Sequence, residues 1–308
     1  MAKKETVVVA GGSGFIGRAV VHRLALKPNL EVRVLTRDPA RARARIGRDP
    51  VQLLKLDLLG PTRGQELPEA LAGARAVFTS VQFDGYPVED PGRKRTFEQV
   101  DLGATVALLE AARRAGAPRF IYVSGVGADA RARHPAFRAK GLAEDAIRRS
   151  GLEFTIFRPS LVYGPGDRVV SMAAAALRFA PVLVVPGNGR QKLQPIFVED
   201  LATCAELAVE GRGRNGVFEA GGPRCVTLEE FLKVIMQISR RHRPIVRLPA
   251  AFLQIAGRLA ELLPRPPFSA DAAMFLLADS QCQPEALQRE FGLSLTPLEE
   301  GLSYLASR

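Results

Sequence analysis

The segment Gly11-Gly12-Ser13-Gly14-Phe15-Ile16-Gly17 constrains this chain more than any other. It follows an unbroken apolar run, Thr6 to Ala10 (TVVVA), and leads into an amphipathic pattern from Phe15 to Leu26. Gly11, Gly14 and Gly17 stand three apart. In a strand–turn–helix crossover the first such glycine makes the tight turn. The second lets a pyrophosphate approach the backbone, and the third lets helix pack on strand. The helix N-terminus beyond the turn offers unbonded N–H groups to phosphate oxygens. A glycine triplet alone is a weak signal, but the strand before it and the helix after it make it specific. Gly11, Gly12, Ser13, Gly14, Phe15, Ile16 and Gly17 are therefore predicted to cradle a dinucleotide.

The chain then repeats the same alternation. Apolar runs at Val32 to Thr36, Val51 to Leu56, Ala76 to Ser80, Phe120 to Val123 and Phe154 to Phe157 read as strands buried on both faces. Helical patterns lie at Lys94 to Ala115 and Ala136 to Arg149. This predicts an α/β fold with a doubly wound parallel sheet over residues 1–165. Beyond Arg158 glycine and proline become frequent, as in Tyr163-Gly164-Pro165-Gly166 and Pro186-Gly187-Asn188-Gly189. Short strands are predicted at Val182 to Val185, Leu193 to Phe197 and Val217 to Ala220. Helices are predicted at Val198 to Val209, Leu228 to Arg240, Ala250 to Leu263 and Pro284 to Phe291. Residues 166–308 thus form a smaller C-terminal α/β lobe, partly interleaved with the sheet.

The second strand settles on Val34-Leu35-Thr36-Arg37. A carboxylate at that position would bond the adenosine ribose hydroxyls and select NAD. A guanidinium instead suits the 2′-phosphate, and Arg18 beside the last glycine adds a second charge, so NADP(H) is favoured. NAD(H) stays open if Asp38 turns in or if Arg37 is a plain surface charge.

Composition narrows the partners. The 308 residues, 47% hydrophobic, suffice for one large core with a smaller lobe. No apolar run reaches the roughly 18 residues of a membrane span, and Met1-Ala2-Lys3-Lys4-Glu5 has no secretory character, so the expected location is cytoplasmic. Three scattered cysteines and three scattered histidines argue against a metal site or a disulfide framework. The net charge is +11, with 35 arginines among 43 basic residues. That excess reads first as a solvated arginine-rich surface; the alternative is an anionic partner, whether nucleic acid, acidic lipid, an acidic protein surface or a protein complex. Nucleic acid is not expected, because no nucleic-acid motif accompanies the charge. The stretch Ala250 to Leu263 is amphipathic with proline at both ends. It either covers its own lobe or makes a peripheral contact with the inner face of a membrane.

Several segments together resemble the extended and atypical short-chain dehydrogenase/reductases, over roughly the whole chain. They are the glycine turn, Leu56-Asp57-Leu58, Ala76-Val77-Phe78-Thr79-Ser80, Phe120-Ile121-Tyr122-Val123-Ser124, Arg158-Pro159 through Tyr163-Gly164-Pro165-Gly166, and Pro195-Ile196-Phe197-Val198-Glu199-Asp200. The pattern is most similar to the branch containing the Rossmann-type accessory subunit of respiratory complex I and its bacterial relatives. The resemblance implies that Asp57 and Leu58 lie near the adenine, Thr79, Ser80 and Val81 near the central ribose, and Val123, Lys140 and Pro159 near the nicotinamide.

Redox-active members of this superfamily use a Tyr-x-x-x-Lys pair, four residues placing both side chains on one helix face. Here Lys140 matches the lysine, but Ala136 stands at the tyrosine position, and Phe137 beside it has no hydroxyl. Ser124 matches the active-site serine region. Tyr163 is the first candidate to replace the missing acid, ahead of Tyr122, His134 or water. Asp101 reads as an ordinary helix residue. Asp84, Glu89, Asp90 and Arg93 to Arg95 read as a solvated loop or a lid. The expected function is an NADP(H)-binding protein with lost or impaired tyrosine-based redox chemistry. Its cofactor would be structural or regulatory, in a respiratory-complex-type assembly. The alternative is an active NAD(P)-dependent oxidoreductase, epimerase or dehydratase acting on a small carbonyl or nucleotide-sugar.

Overall fold

The computed structural model describes residues 4–260 and 277–306. Seven strands form one parallel sheet: β1 (Glu5–Ala10), β2 (Leu30–Thr36), β3 (Val51–Lys55), β4 (Ala74–Thr79), β5 (Arg119–Val123), β6 (Glu153–Pro159) and β7 (Gly216–Ala220). Their order is β7-β6-β5-β4-β1-β2-β3. The direction of winding reverses between β1 and β4, which opens a crevice at their carboxyl ends, where open α/β sheets bind ligands. Ala10 there pairs with Leu35 on one side and Thr79 on the other.

The two-residue period of a strand explains why β1 is apolar throughout. Val7 and Val9 enter the core under α1 (Phe15–Ala25) and α7 (Val198–Glu210), with Leu24 and Leu201. Val8 and Ala10 enter the opposite core, with Leu108 of α4 (Thr105–Arg114) and Ile147 of α5 (Pro135–Arg148). The remaining sheet-flanking helices are α2 (Pro39–Ile46) and α3 (Arg63–Ala70). The helix read from Lys94 to Ala115 begins as a π-helical stretch, Phe97–Ala104, that runs straight into α4.

The second lobe has its own core: Val170 and Leu177 of α6 (Arg168–Phe179), Phe231 and Ile235 of α8 (Leu228–Ile238), and Leu183 and Val185 of a strand pair, Leu183–Pro186 with Ile245–Leu248. The interleaving is concrete, since α7 packs on α1 and β7 completes the main sheet before the chain returns to α8. The strand read over Leu193 to Phe197 is broken. Lys192–Leu193 pairs with Val226–Thr227 and Ile196–Phe197 pairs with Val162–Tyr163, with Pro195, which has no N–H to donate, at the break. α9 spans Ala250–Ala260, and the last part of the predicted Ala250 to Leu263 helix lies outside the described residues. Among the described residues no helix is long and apolar enough to cross a membrane.

Candidate functional site

The site starts at the turn after β1. Gly11 has φ +79°, and a Cβ there would sit 2.9 Å from the carbonyl carbon and oxygen of Ser80. A Cβ on Gly17 would sit 2.2 Å from the carbonyl oxygen of Gly11. Neither position admits a side chain. The Gly14 N–H donates to the Gly11 carbonyl at 2.9 Å, and Gly14 is the N-cap of α1. No side chain caps that helix and no acidic residue stands in its first turn. Its leading N–H groups are therefore left for an anionic ligand, and a dinucleotide pyrophosphate fits those donors. Gly12 is buried, and Phe15 and Ile16 lean on the core, so the turn is rigid from beneath. Arg18 reaches the Pro165 carbonyl at 3.5 Å, tying the start of α1 to the segment that leads into the second lobe.

One end of the crevice is defined by the ends of β2, β3 and β4. The Leu56 N–H donates to the Thr36 carbonyl (2.8 Å), which brings Asp57 and Leu58 beside the end of β2. Asp57 is exposed and accepts the Leu59 N–H at 3.0 Å. The Ser80 N–H donates to the Ala10 carbonyl (3.1 Å), so Ser80 and Val81 lie against Gly11. The hydroxyls of Thr79 and Ser80 are buried and have no hydrogen-bond partner among the described residues. Asp38 is committed elsewhere. It is the N-cap of α2, and its carboxylate accepts the Arg41 N–H at 3.0 Å. Arg37 remains exposed at the strand end, where it faces Asp84.

At the other end of the crevice the structure brings Val123, Ser124 and Pro159 together: Ser124 N–H donates to the Phe157 carbonyl (2.7 Å) and Val126 N–H to the Pro159 carbonyl (3.0 Å). Lys140 lies next to them, its side chain beside Gly125. Its ammonium is 3.3 Å from a carboxylate oxygen of Asp101 and 6.0 Å from the centre of the Tyr122 ring. Lys140 and Asp101 are both buried. Burial pushes the Asp101 carboxyl above the usual carboxylate range, and Lys140 pulls it partly back. Burial likewise raises the Tyr122 phenol, with the Asp101 charge adding to the effect.

Ser124 is not free to polarise a substrate carbonyl. Its hydroxyl donates to Glu144 at 2.6 Å. The same fully buried carboxylate accepts two bonds from Arg158 (2.8 and 2.6 Å) and one from Arg148 (2.8 Å). A buried charge needs such partners, so Glu144 serves as the hub that ties β5, α5 and β6 together.

Ala136 sits in the first turn of α5, four residues before Lys140, with no exposed surface. It belongs to a cluster with Phe83, Phe97, Val100 and Ala139, against which Tyr86 packs. The space beside the tyrosine position is therefore filled by aromatic rings. Tyr163 does not join the crevice either. It is fully buried in the second lobe, its ring centre 5.7 Å from that of Phe197 and 6.3 Å from that of Phe231. Burial raises its phenol as well. Asp101, read from sequence as an ordinary helix residue, is instead the buried partner of Lys140. Glu144 and Tyr86 were not legible as site residues. Glu144 follows Lys140 by one helical turn, the one signal that placed it on the same face.

A family model described as NAD(P)H-binding matches residues 11–175. A mitochondrial NADH dehydrogenase [ubiquinone] 1 alpha subcomplex subunit 9 of Arabidopsis thaliana is 30% identical over 252 residues, covering 78% of this chain. The chain spans 60% of the length of that relative. An NAD(P)H azoreductase of Xenophilus azovorans is 29% identical over 273 residues, covering 88% of this chain and 86% of its own. Among solved structures, UDP-glucose 4-epimerase of Thermotoga maritima with UDP-glucose superposes with a TM-score of 0.75 at 20% identity, over 98% of this chain and 97% of that one. That likeness concerns the fold.

Proposed function

The chain belongs to the NAD(P)H-binding family, among the atypical short-chain dehydrogenase/reductases, and from that premise we propose that it holds NADP(H) while lacking tyrosine-based redox chemistry. When bound, the nicotinamide supplies hydride chemistry; the protein's part is to hold it and to move protons. Residues 11–17 and the α1 N-terminus take the pyrophosphate. Asp57, Leu58, Thr79, Ser80 and Val81 line the adenosine side, and Val123, Lys140 and Pro159 the nicotinamide side. In this reading residues 1–165 bind the cofactor and 166–308 form the facing lobe, apart from α7 and β7. The observation that carries the loss of chemistry is Ala136, fully buried among aromatic rings, with Lys140 already neutralised by Asp101. A general acid must stand within about 3 Å of the proton it delivers. Tyr163 is buried in the core of the second lobe, and the Ser124 hydroxyl is bonded to Glu144.

The NADP(H) preference rests on Arg37, exposed at the end of β2, and on Asp38, whose carboxylate is occupied as a helix cap. Calorimetry with NADPH and NADH tests it: Arg37→Asp shifts the preference by about ten- to a hundredfold, the scale of one charge-assisted hydrogen bond. Equal affinities in the wild type would refute it. The cofactor is then a structural or regulatory ligand, and the net charge of +11 favours an acidic partner surface in a larger assembly, as the relative named an NADH dehydrogenase subunit suggests. A cytoplasmic location, peripheral to the inner face of a membrane, fits the exposed Phe252 and Ile255 on α9.

A second reading, an active NAD(P)-dependent oxidoreductase, is favoured by one observation: a relative over nearly the whole chain is named an azoreductase. NADPH consumption with azo dyes decides between the two.

A further inference from the structure

Three guanidinium groups from three separate segments converge on one carboxylate at the adenosine end of the crevice. Arg37 at the end of β2 approaches Oδ2 of Asp84 to 3.9 Å, Arg41 in α2 to 3.6 Å, and Arg95 to 4.0 Å. Arg37, Arg41 and Asp84 are about half exposed, and Arg95 is less so. Asp84 lies on the loop that leaves β4 and passes the glycine turn at Ser80 and Val81. Phe83 and Tyr86, on either side of it, reach the cluster around Ala136.

Three positive charges face one negative charge, all meeting at a single oxygen at 3.6 to 4.0 Å. No bidentate pair forms. Exposed pairs in such geometry add little to stability. The arrangement is under-neutralised and loosely held, which suits an internal carboxylate that gives way to a stronger anion. A phosphate monoester carries about −1.5 to −2 charge near neutral pH and three acceptor oxygens. It can engage several arginine forks at once, where Asp84 offers one oxygen.

We propose that Arg37, Arg41 and Arg95 form a socket for the 2′-phosphate of NADP(H), that Asp84 occupies it as an internal competitor, and that the phosphate releases the 81–90 loop by displacing Asp84. The inference rests on the NADP(H) reading above and deepens it. It assigns specificity to Arg95 and Asp84, which lie outside the glycine turn and the second strand. It also couples the adenosine end to the other end of the crevice, because the loop that carries Asp84 also carries Phe83 and Tyr86 into the Ala136 cluster.

The experiment is titration calorimetry of the full chain with NADPH and with NADH, on the wild type, Asp84→Asn and Arg95→Gln. Both substitutions are at the surface, and thermal melts confirm folding. Asp84→Asn removes the competitor, so NADPH binds about three- to tenfold tighter while NADH changes less than about twofold. Arg95→Gln weakens NADPH about five- to tenfold and leaves NADH alone. Hydrogen exchange over 81–90 rises on adding NADPH and not on adding NADH. A wild type that prefers NADPH, with Asp84→Asn unchanged for both ligands, overturns the inference and leaves the NADP(H) reading standing. A loss of NADH affinity in Asp84→Asn overturns it too, since Asp84 would then be the ribose-hydroxyl acceptor. A wild type without preference sinks both.

Discussion

Replacing Asp101 by asparagine leaves the Lys140 ammonium buried opposite a neutral amide. At 3.3 Å the attraction between the two charges is about 5 kcal/mol with an effective dielectric of about 20. Desolvation of both ions offsets much of that in the intact pair, so the pair itself contributes little net stability. Removing one partner is different, because the other charge stays in place without compensation, at a cost of about 3–5 kcal/mol. That is a large share of the 5–15 kcal/mol by which a domain of ordinary stability is folded. Lys140→Met costs a similar amount, since it strands the Asp101 carboxylate, which burial already disfavours in its charged form. The double variant Asp101→Asn, Lys140→Met removes both charges and costs about 1–2 kcal/mol instead of the roughly 6–10 kcal/mol sum of the two, a coupling of at least about 4 kcal/mol. Urea unfolding at neutral pH measures this, with the midpoint falling at constant slope. An Asp101→Asn cost below about 1 kcal/mol, or strictly additive single effects, would show that the pair is solvated and that Lys140 is free for another role.

Other outcomes follow from the same geometry. Ala136→Tyr forces a phenol into the cluster of Phe83, Phe97, Val100 and Ala139, so it destabilises by about 1–3 kcal/mol in denaturant titrations and restores no turnover. Gly17→Ala places a methyl 2.2 Å from the Gly11 carbonyl oxygen and abolishes NADPH binding in calorimetry. Ser124→Ala costs only about 1 kcal/mol, because Arg158 and Arg148 still satisfy Glu144, whereas Glu144→Ala strands the Arg158 guanidinium and costs at least about 3 kcal/mol. Thermal melts separate those two.

The parts of this account that were legible in the sequence are the local ones. The glycine turn, the apolar strands and the Ala136–Lys140 spacing each lie within one element, where periodicity and steric rules act directly. What escaped is non-local. Asp101 meets Lys140 only because the π-helical stretch before α4 packs on α5, and no spacing announces that. The Arg37, Arg41 and Arg95 cluster joins three segments; Arg37 alone reads from sequence as a phosphate contact, and its meeting with Arg95 across Asp84 is non-local. The exception is α6 in the second lobe, a local element that periodicity does not reveal because Ala173 to Ala176 carry almost no contrast between a core face and a solvent face. Tyr163 reads from sequence as a crevice residue, but its segment enters the lobe core, where its ring lies tilted on Phe197 and edge-on to Phe231.

The central claim is that the cofactor is held without tyrosine-based proton transfer. It is tested most directly by measuring NADPH affinity and NADPH oxidation on one preparation, against aldehydes, ketones, quinones and azo dyes. The account predicts binding at micromolar levels or tighter, with turnover at least about a hundredfold below the roughly 10 per second typical of enzymes. Turnover near that typical value with any of these acceptors, abolished by a substitution beside Ala136 such as Tyr86→Phe, would contradict it.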